Sequence, residues 1–264
     1  MERRDTLRAA AALTLTALAG CDADRPPATT VHPGPSAPVP PVADAPTASP
    51  SVTAPALPDE VRHGPRDRAA VALTFHGQGD PRQVTALLGE LRRTATPVTV
   101  LAVGAWLTAE PDLGRRILAD GHELGNHTQN HLDIKTFEPS RAYAEIATCA
   151  QAVRTVSGSI GRWFRPSQTQ YATSMIKAAA RRAGYPTCLS YDVDSRDYTD
   201  PGTDAVVSAT LTAVHKGSIV SLHFGHDGTI AAIAPLLAGL RARGLRPVTV
   251  SDLLAGAEPP TPAG

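Results

Sequence analysis

Gly121-His122-Glu123-Leu124-Gly125-Asn126-His127-Thr128-Gln129-Asn130-His131 changes character halfway along. The first half reads as a short strand and the second as the loop that leaves it. That loop carries two histidines four residues apart, His127 and His131. Residues four apart on a helical turn share one face, so both imidazoles can converge on a divalent ion, with a third ligand supplied from elsewhere. A histidine pair at this spacing also arises by chance, so its weight depends on the rest of the chain.

Working outward, the same unit recurs. Strand-like runs rich in branched or aromatic residues fall at Ala69–Phe75, Pro97–Val103, His122–Asn126, Arg162–Arg165, Pro186–Tyr191, Ser218–His223 and Pro247–Val250. Between them, Pro81–Arg93, Asp112–Ala119, Pro139–Val156, Ala172–Ala183, Asp204–Val214 and Thr229–Arg243 carry apolar residues at three- and four-residue spacing. Several of these helices are followed by a glycine, as at Gly121, Gly184, Gly217 and Gly244. Alternation of this kind predicts an α/β fold, a distorted (β/α) barrel of about seven parallel strands, with a doubly wound open sheet as the runner-up.

The unusual polar residues occupy equivalent places in successive units. His76 follows the first strand, His127 the third, Arg165 the fourth, Asp192, Asp194 and Asp197 the fifth, and His223 closes the sixth. In a β/α barrel the C-terminal rim is where reactive side chains converge. Taken singly, each residue has a plain reading: a satisfied core histidine, a surface ion pair, or turn-forming aspartates. Five units delivering ionisable groups to one rim point to a site.

The flanks have a different composition. Arg3, Arg4 and Arg8 precede an apolar run, Ala9–Ala19, too short for a membrane span, and Leu18-Ala19-Gly20-Cys21 follows. The tetrapeptide resembles the lipobox of bacterial lipoproteins, so residues 1–21 are expected to be a lipoprotein signal region cleaved before Cys21, which becomes the lipid-anchored N-terminus at the outer face of the cell membrane. Arg3-Arg4 fits either the general or the twin-arginine export route. Residues 22–66 are rich in Pro, Ala, Ser and Thr and lack Phe, Trp and Tyr, which predicts a disordered tether. Residues 67–256 form the expected catalytic domain, and 257–264 a similar tail. In an oxidising compartment Cys149 and Cys188 stand either as a disulfide or as two separate buried thiols. The 25 basic residues balance 25 acidic ones without a basic run, which argues against nucleic acid as a partner. Aromatic residues make up only 4%, a thin supply for stacking on sugars, and Trp106 and Trp163 read as packing groups.

Five motifs together resemble the polysaccharide deacetylase family, the NodB-homology or carbohydrate esterase 4 group. They are Leu73-Thr74-Phe75-His76, Asn126-His127-Thr128-Gln129-Asn130-His131, Phe164-Arg165-Pro166, Asp192-Val193-Asp194-Ser195-Arg196-Asp197-Tyr198 and Ser221-Leu222-His223. The resemblance implies metal-dependent hydrolysis of N-acetyl groups on an amino-sugar polymer, with a divalent ion, commonly Zn2+, as cofactor. It implies that His127 and His131 bind the metal and that His223 is the general acid. Asp194 or Asp197 tunes that acid, and Arg165 orients the base. Together with the anchor, it makes an acetylated envelope polysaccharide such as peptidoglycan the expected substrate.

The first motif departs from the pattern. Where the family has Thr-Phe-Asp-Asp-Gly, this chain has Thr74-Phe75-His76-Gly77-Gln78-Gly79-Asp80. Three readings stay open. His76 joins His127 and His131 as a three-histidine zinc site with Asp80 as base and ion-pair partner of Arg165; or Asp80 binds the metal and His76 is the base; or the cleft binds glycan without turnover. In the first two, Gly77 and Gly79 supply the backbone freedom that lets Asp80 approach. His226-Asp227-Gly228 reads equally as a rim ligand and as the turn opening the next helix.

Overall fold

A computed structural model describes residues 57–255. Its centre is β2, Ala70–Gly77, in which every residue but His76 is buried. On one side β2 pairs in parallel with β7, Ile219–His223; on the other it pairs with β3, Thr99–Ala102, near its end and with β8, Arg246–Val248, near its start. Beyond β3 lies β4, Glu123–Asn126, and beyond β7 lies β6, Val193–Asp194. Phe164 bridges in parallel to Asn126 and to Cys188, the first residue of β5, Cys188–Leu189. Every pairing between named strands is parallel, which requires helical crossovers.

The predicted barrel is therefore present in distorted form. The segment Cys188–Asp194 meets Phe164 at one end and β7 at the other: the Leu189 amide donates to Phe164, and the Asp192 amide to Ile219. One stretch of chain completes the ring there, without an unbroken ladder.

Crossovers are made by α1 (Pro81–Arg93), α2 (Gly104–Ala109), α3 (Pro111–Ala119), α4 (Pro139–Ser157), α5 (Ser174–Arg182), α6 (Thr203–Ala213) and α7 (Asp227–Ala242), and α8 (Val250–Leu254) follows β8. Alternation along β2 divides the core. Val71, Leu73 and Phe75 pack with Val84, Leu88, Ile233 and Leu236 of the helices, whereas Ala70 and Ala72 pack with Leu101, Ile219, Val248 and Leu253 inside the ring. Side chains repeat every second residue, so Thr74 and His76 continue the inward column towards the C-terminal rim.

Several boundaries shift from those expected. Only Phe164 of the expected 162–165 strand pairs, because Gly161 is wedged at φ 74° against the Leu124 carbonyl and Pro166 lacks an amide hydrogen. Val250 begins a helix, since the Thr249 side chain accepts from the Asp252 amide and caps it. The expected tether lies mostly outside the described residues, but its last part is folded. β1, Glu60–Val61, pairs with β5; the Gly64 amide donates to Gly217; and Arg66 pairs with Asp192 at 2.7 Å. The folded unit thus starts before residue 67. The signal segment, Cys21 and the tail lie outside the described residues. Cys149 and Cys188 are separate buried thiols in different apolar clusters.

Candidate active site

Parallel register sets His76 of β2 beside His223 of β7, and their rings lie 4.3 Å apart. His127, the first residue after β4, lies 4.3 Å from His76 on its other side, and His131 lies 5.0 Å from His127. One nitrogen from each of His76, His127 and His131 falls within 4.8 Å of the others. His127 is fully buried and its Nδ1 lies 2.9 Å from the Arg165 carbonyl, so Nδ1–H donates there and Nε2 keeps its lone pair. That Nε2 has no hydrogen-bond partner among the described residues. A buried, oriented and unsatisfied acceptor facing two other imidazoles fits a divalent ion. Burial, and then the neighbouring imidazoles, hold His76 and His127 well below the ordinary histidine range, so both are the neutral rings that ligation requires.

The loop carrying His127 and His131 is strained and braced. Thr128 and His131 adopt left-handed backbone at φ 66° and 55°. The Thr128 amide donates to Asn126 Oδ1 and its hydroxyl to Ser167, while Glu145 of α4 accepts from both the amide and side chain of Asn130. Asn126 in turn donates to the Ile146 carbonyl. The near-complete second motif is thus mostly bracing: two residues face the cleft and the others hold them.

Asp197, 1% exposed, accepts from His223 Nδ1 at 2.7 Å through Oδ1; its Oδ2 accepts from the His223 amide and the Thr229 hydroxyl, each at 2.7 Å. Burial pushes this carboxyl up, but the bonds from His223 and Thr229 outweigh it and hold Asp197 below the usual carboxylate range. The dyad partner of His223 is therefore Asp197. Asp194 instead accepts from the Arg196 amide in a turn, and Asp192 braces Arg66, Ser218 and the Ile219 amide.

Asp80 is not brought into the cleft. It is the exposed N-cap of α1, accepting from the Arg82 amide at 2.8 Å ahead of Pro81. Neither Gly77 nor Gly79 has left-handed backbone; each permits close approach. A Cβ on Gly77 would lie 2.7 Å from Val100 and one on Gly79 would lie 2.8 Å from the Gly225 backbone. A side chain at position 77 would therefore have to displace Val100. Arg165 does not pair with Asp80 either. Fully buried, it donates to the Leu189 and Ser190 carbonyls and lies over Tyr191 at 5.2 Å. Nη1 has no partner among the described residues, and burial lowers the guanidinium to about 10.

Two lobes open beside the histidines. One of about 420 Å3 is lined by Gln78, Trp106 and His226; the other, about 440 Å3, by Gln168, Gln170, Tyr191 and Tyr198. Trp106 donates from its indole to the Gly79 carbonyl and lines the first lobe, whereas Trp163 is core, as expected. Tyr171 and Tyr198, 44% and 47% exposed, add aromatic surface that composition did not reveal. Gln78 lies 3.3 Å from His131 Nδ1 and Ser221 3.3 Å from His76 Nε2, supporting contacts that sequence reading missed.

Residues 63–188 match the family model described as "Polysaccharide deacetylase". A chitooligosaccharide deacetylase of a Bradyrhizobium species is 31% identical over 190 residues, 66% of this chain and 86% of the relative. A peptidoglycan-N-acetylglucosamine deacetylase of Bacillus cereus is 32% identical over 200 residues, 72% of this chain and 90% of the relative. Among solved structures, a family 4 carbohydrate esterase pseudoenzyme from Bacillus anthracis superposes with a TM-score of 0.69 at 19% identity, over 74% of this chain and 68% of that one.

Proposed function

The chain belongs to the polysaccharide deacetylase family, and from that premise we propose that it is a divalent-metal hydrolase releasing acetate from the N-acetyl groups of an envelope polysaccharide such as peptidoglycan. The observation carrying this reading is the unsatisfied His127 Nε2 directed at His76 and His131. His76, His127 and His131 would hold the ion, with zinc favoured by three imidazoles. When bound, the metal polarises the acetyl carbonyl and acidifies a water.

The residues supply the rest. As neutral donors, His76, His127 and His131 would leave the charge of a bound ion uncompensated. With Asp80 capping a helix, the cleft lacks the family's carboxylate base, and His223 is the proton acceptor beside the cluster. Asp197 fixes its tautomer so that Nε2 faces the cleft and stabilises the imidazolium that forms. Arg165 positions the ligand shell: its carbonyl holds His127 while its guanidinium ties that segment to β5.

A second reading, a glycan-binding protein without turnover, draws on the loss of both motif-one carboxylates and on the likeness to a pseudoenzyme. Titrating zinc into metal-free protein and then assaying acetate release from N-acetylated glycan strands separates the two. One zinc per chain with acetate release supports the hydrolase. Glycan binding with no acetate supports the second reading.

The flanking sequence extends the proposal: a signal region, residues 1–21, cleaved before a lipid-anchored Cys21, and a tether holding the domain in the cell-wall space. Mass spectrometry of the mature N-terminus that finds an unmodified residue would exclude the anchor.

A further inference from the structure

Beside the His223–Asp197 dyad stands a second one. His226 Nδ1 lies 2.8 Å from Asp200 Oδ1, and the His226 ring is 6.3 Å from that of His223. Each dyad joins residues 26 apart, so the pair is displaced by three residues on both strands of contact: 197 with 223, 200 with 226. Asp200 is presented from left-handed backbone, φ 51°, as the residue closing a 3-10 turn, Asp197–Thr199. His226 precedes α7 without using its ring as a cap, and it lines both lobes of the cleft. Its side chain is 23% exposed, against 18% for His223. It therefore reaches the cleft while remaining in exchange with solvent.

Amide hydrolysis needs two proton transfers. The attacking water must lose a proton as its oxygen bonds to the acetyl carbon, and the amine nitrogen must gain one as the carbon–nitrogen bond breaks. With a carboxylate base and a histidine acid those tasks fall to different groups. Here the carboxylate is missing and His223 takes the first task.

We propose that His226, held by Asp200, is the general acid that protonates the leaving amine while His223 accepts the proton of the attacking water. This rests on the hydrolase reading above. Protons balance over the cycle: His223 gains one from water and His226 gives one to the amine. After acetate and amine depart, His223 releases its proton to solvent and His226 takes one up. Asp200 accepts from Nδ1–H and stabilises the imidazolium form of His226, whose Nε2–H is the proton transferred, whereas Asp197 holds Nδ1–H of neutral His223 and leaves its Nε2 free to accept.

The test uses two substrates that differ in leaving group. An N-acetylated chitooligosaccharide expels a strongly basic amine, whereas 4-nitrophenyl acetate expels a phenolate that needs no proton. With zinc-loaded wild type, His226→Gln and Asp200→Asn, circular dichroism first verifies folding. Asparagine tolerates left-handed backbone, so the second variant keeps the turn. The expected result is about a hundredfold loss of kcat on the oligosaccharide for His226→Gln, in the range of general-acid contributions, with a smaller loss for Asp200→Asn. Ester hydrolysis should stay within about twofold of wild type, since that step omits the acid. Equal losses on both substrates, or an unchanged amide rate, overturn the second dyad while leaving the hydrolase intact. A wild type that turns over neither substrate overturns the hydrolase and this proposal with it.

Discussion

β4 is flanked at each end by a buried histidine with at least one unsatisfied ring nitrogen, and the two differ in how the ring is held and in what surrounds it. His127, at the rim, donates from Nδ1 to a carbonyl, sits within ring contact of two imidazoles, and leaves one acceptor free. His122, at the opposite end, is 5% exposed and has neither ring nitrogen partnered among the described residues. An orphaned buried atom thus signals a ligand only when its ring is oriented and other donors converge on the same point. At His122 the same orphaning is simply a cost.

The sharpest way to break this contrast is His127→Ala. It should lower zinc affinity by more than about a hundredfold, beyond the loss typical of supporting residues, and abolish acetate release. Plasma mass spectrometry after dialysis and an acetate assay read both; full zinc retention would refute the ligand assignment. Next comes Asp197→Asn, which keeps the volume but lets the His223 tautomer invert. It should cut kcat by about 10² to 10⁴ and, because Asp197 also bonds the His223 amide and Thr229, lower the melting temperature.

At the other end, His122→Leu removes two unsatisfied nitrogens, and chemical denaturation should show stability unchanged or raised by about 1–2 kcal/mol, with zinc content intact. Burial, partly opposed by Asp120, holds His122 below its ordinary range. Its folded pKa is depressed, so below about pH 6.5 the unfolded chain binds the proton that the folded chain excludes. Acid therefore destabilises through this residue. A metal-free wild type should lose stability below that pH with a steeper slope than metal-free His122→Leu; identical slopes would place the acid sensitivity elsewhere. The smallest change is Asp80→Ala, costing about 0.5–2 kcal/mol as a lost N-cap and leaving kcat within twofold.

Much of this was legible from side-chain pattern. The strand expected at Ala69–Phe75 announces itself because a strand covered on both faces must be apolar throughout, and Pro81 marks a helix start. Two-residue strands such as Glu60–Val61 and Val193–Asp194 carry no periodicity, so only their partners reveal them. Proximity in sequence misled at Asp80, three residues past the end of β2: only four residues from His76 in the chain, it spends its carboxylate on the Arg82 amide. Asp194 and Asp197 could not be told apart because a turn, not a period, decides which one faces β7. The His226–Asp200 pair was hidden for a similar reason, since α6 separates its members in sequence while the barrel returns them to one rim.

The pairing of β1 with β5 bears on colloidal behaviour. The Cys188 amide donates to Asp59 and the Ser190 amide to Val61, so residues 59–61 cover the backbone of a short apolar strand. A chain cut at residue 67 would leave those amides as a bare sheet edge, able to pair with a second molecule. Self-association would follow from removing what composition alone marks as linker.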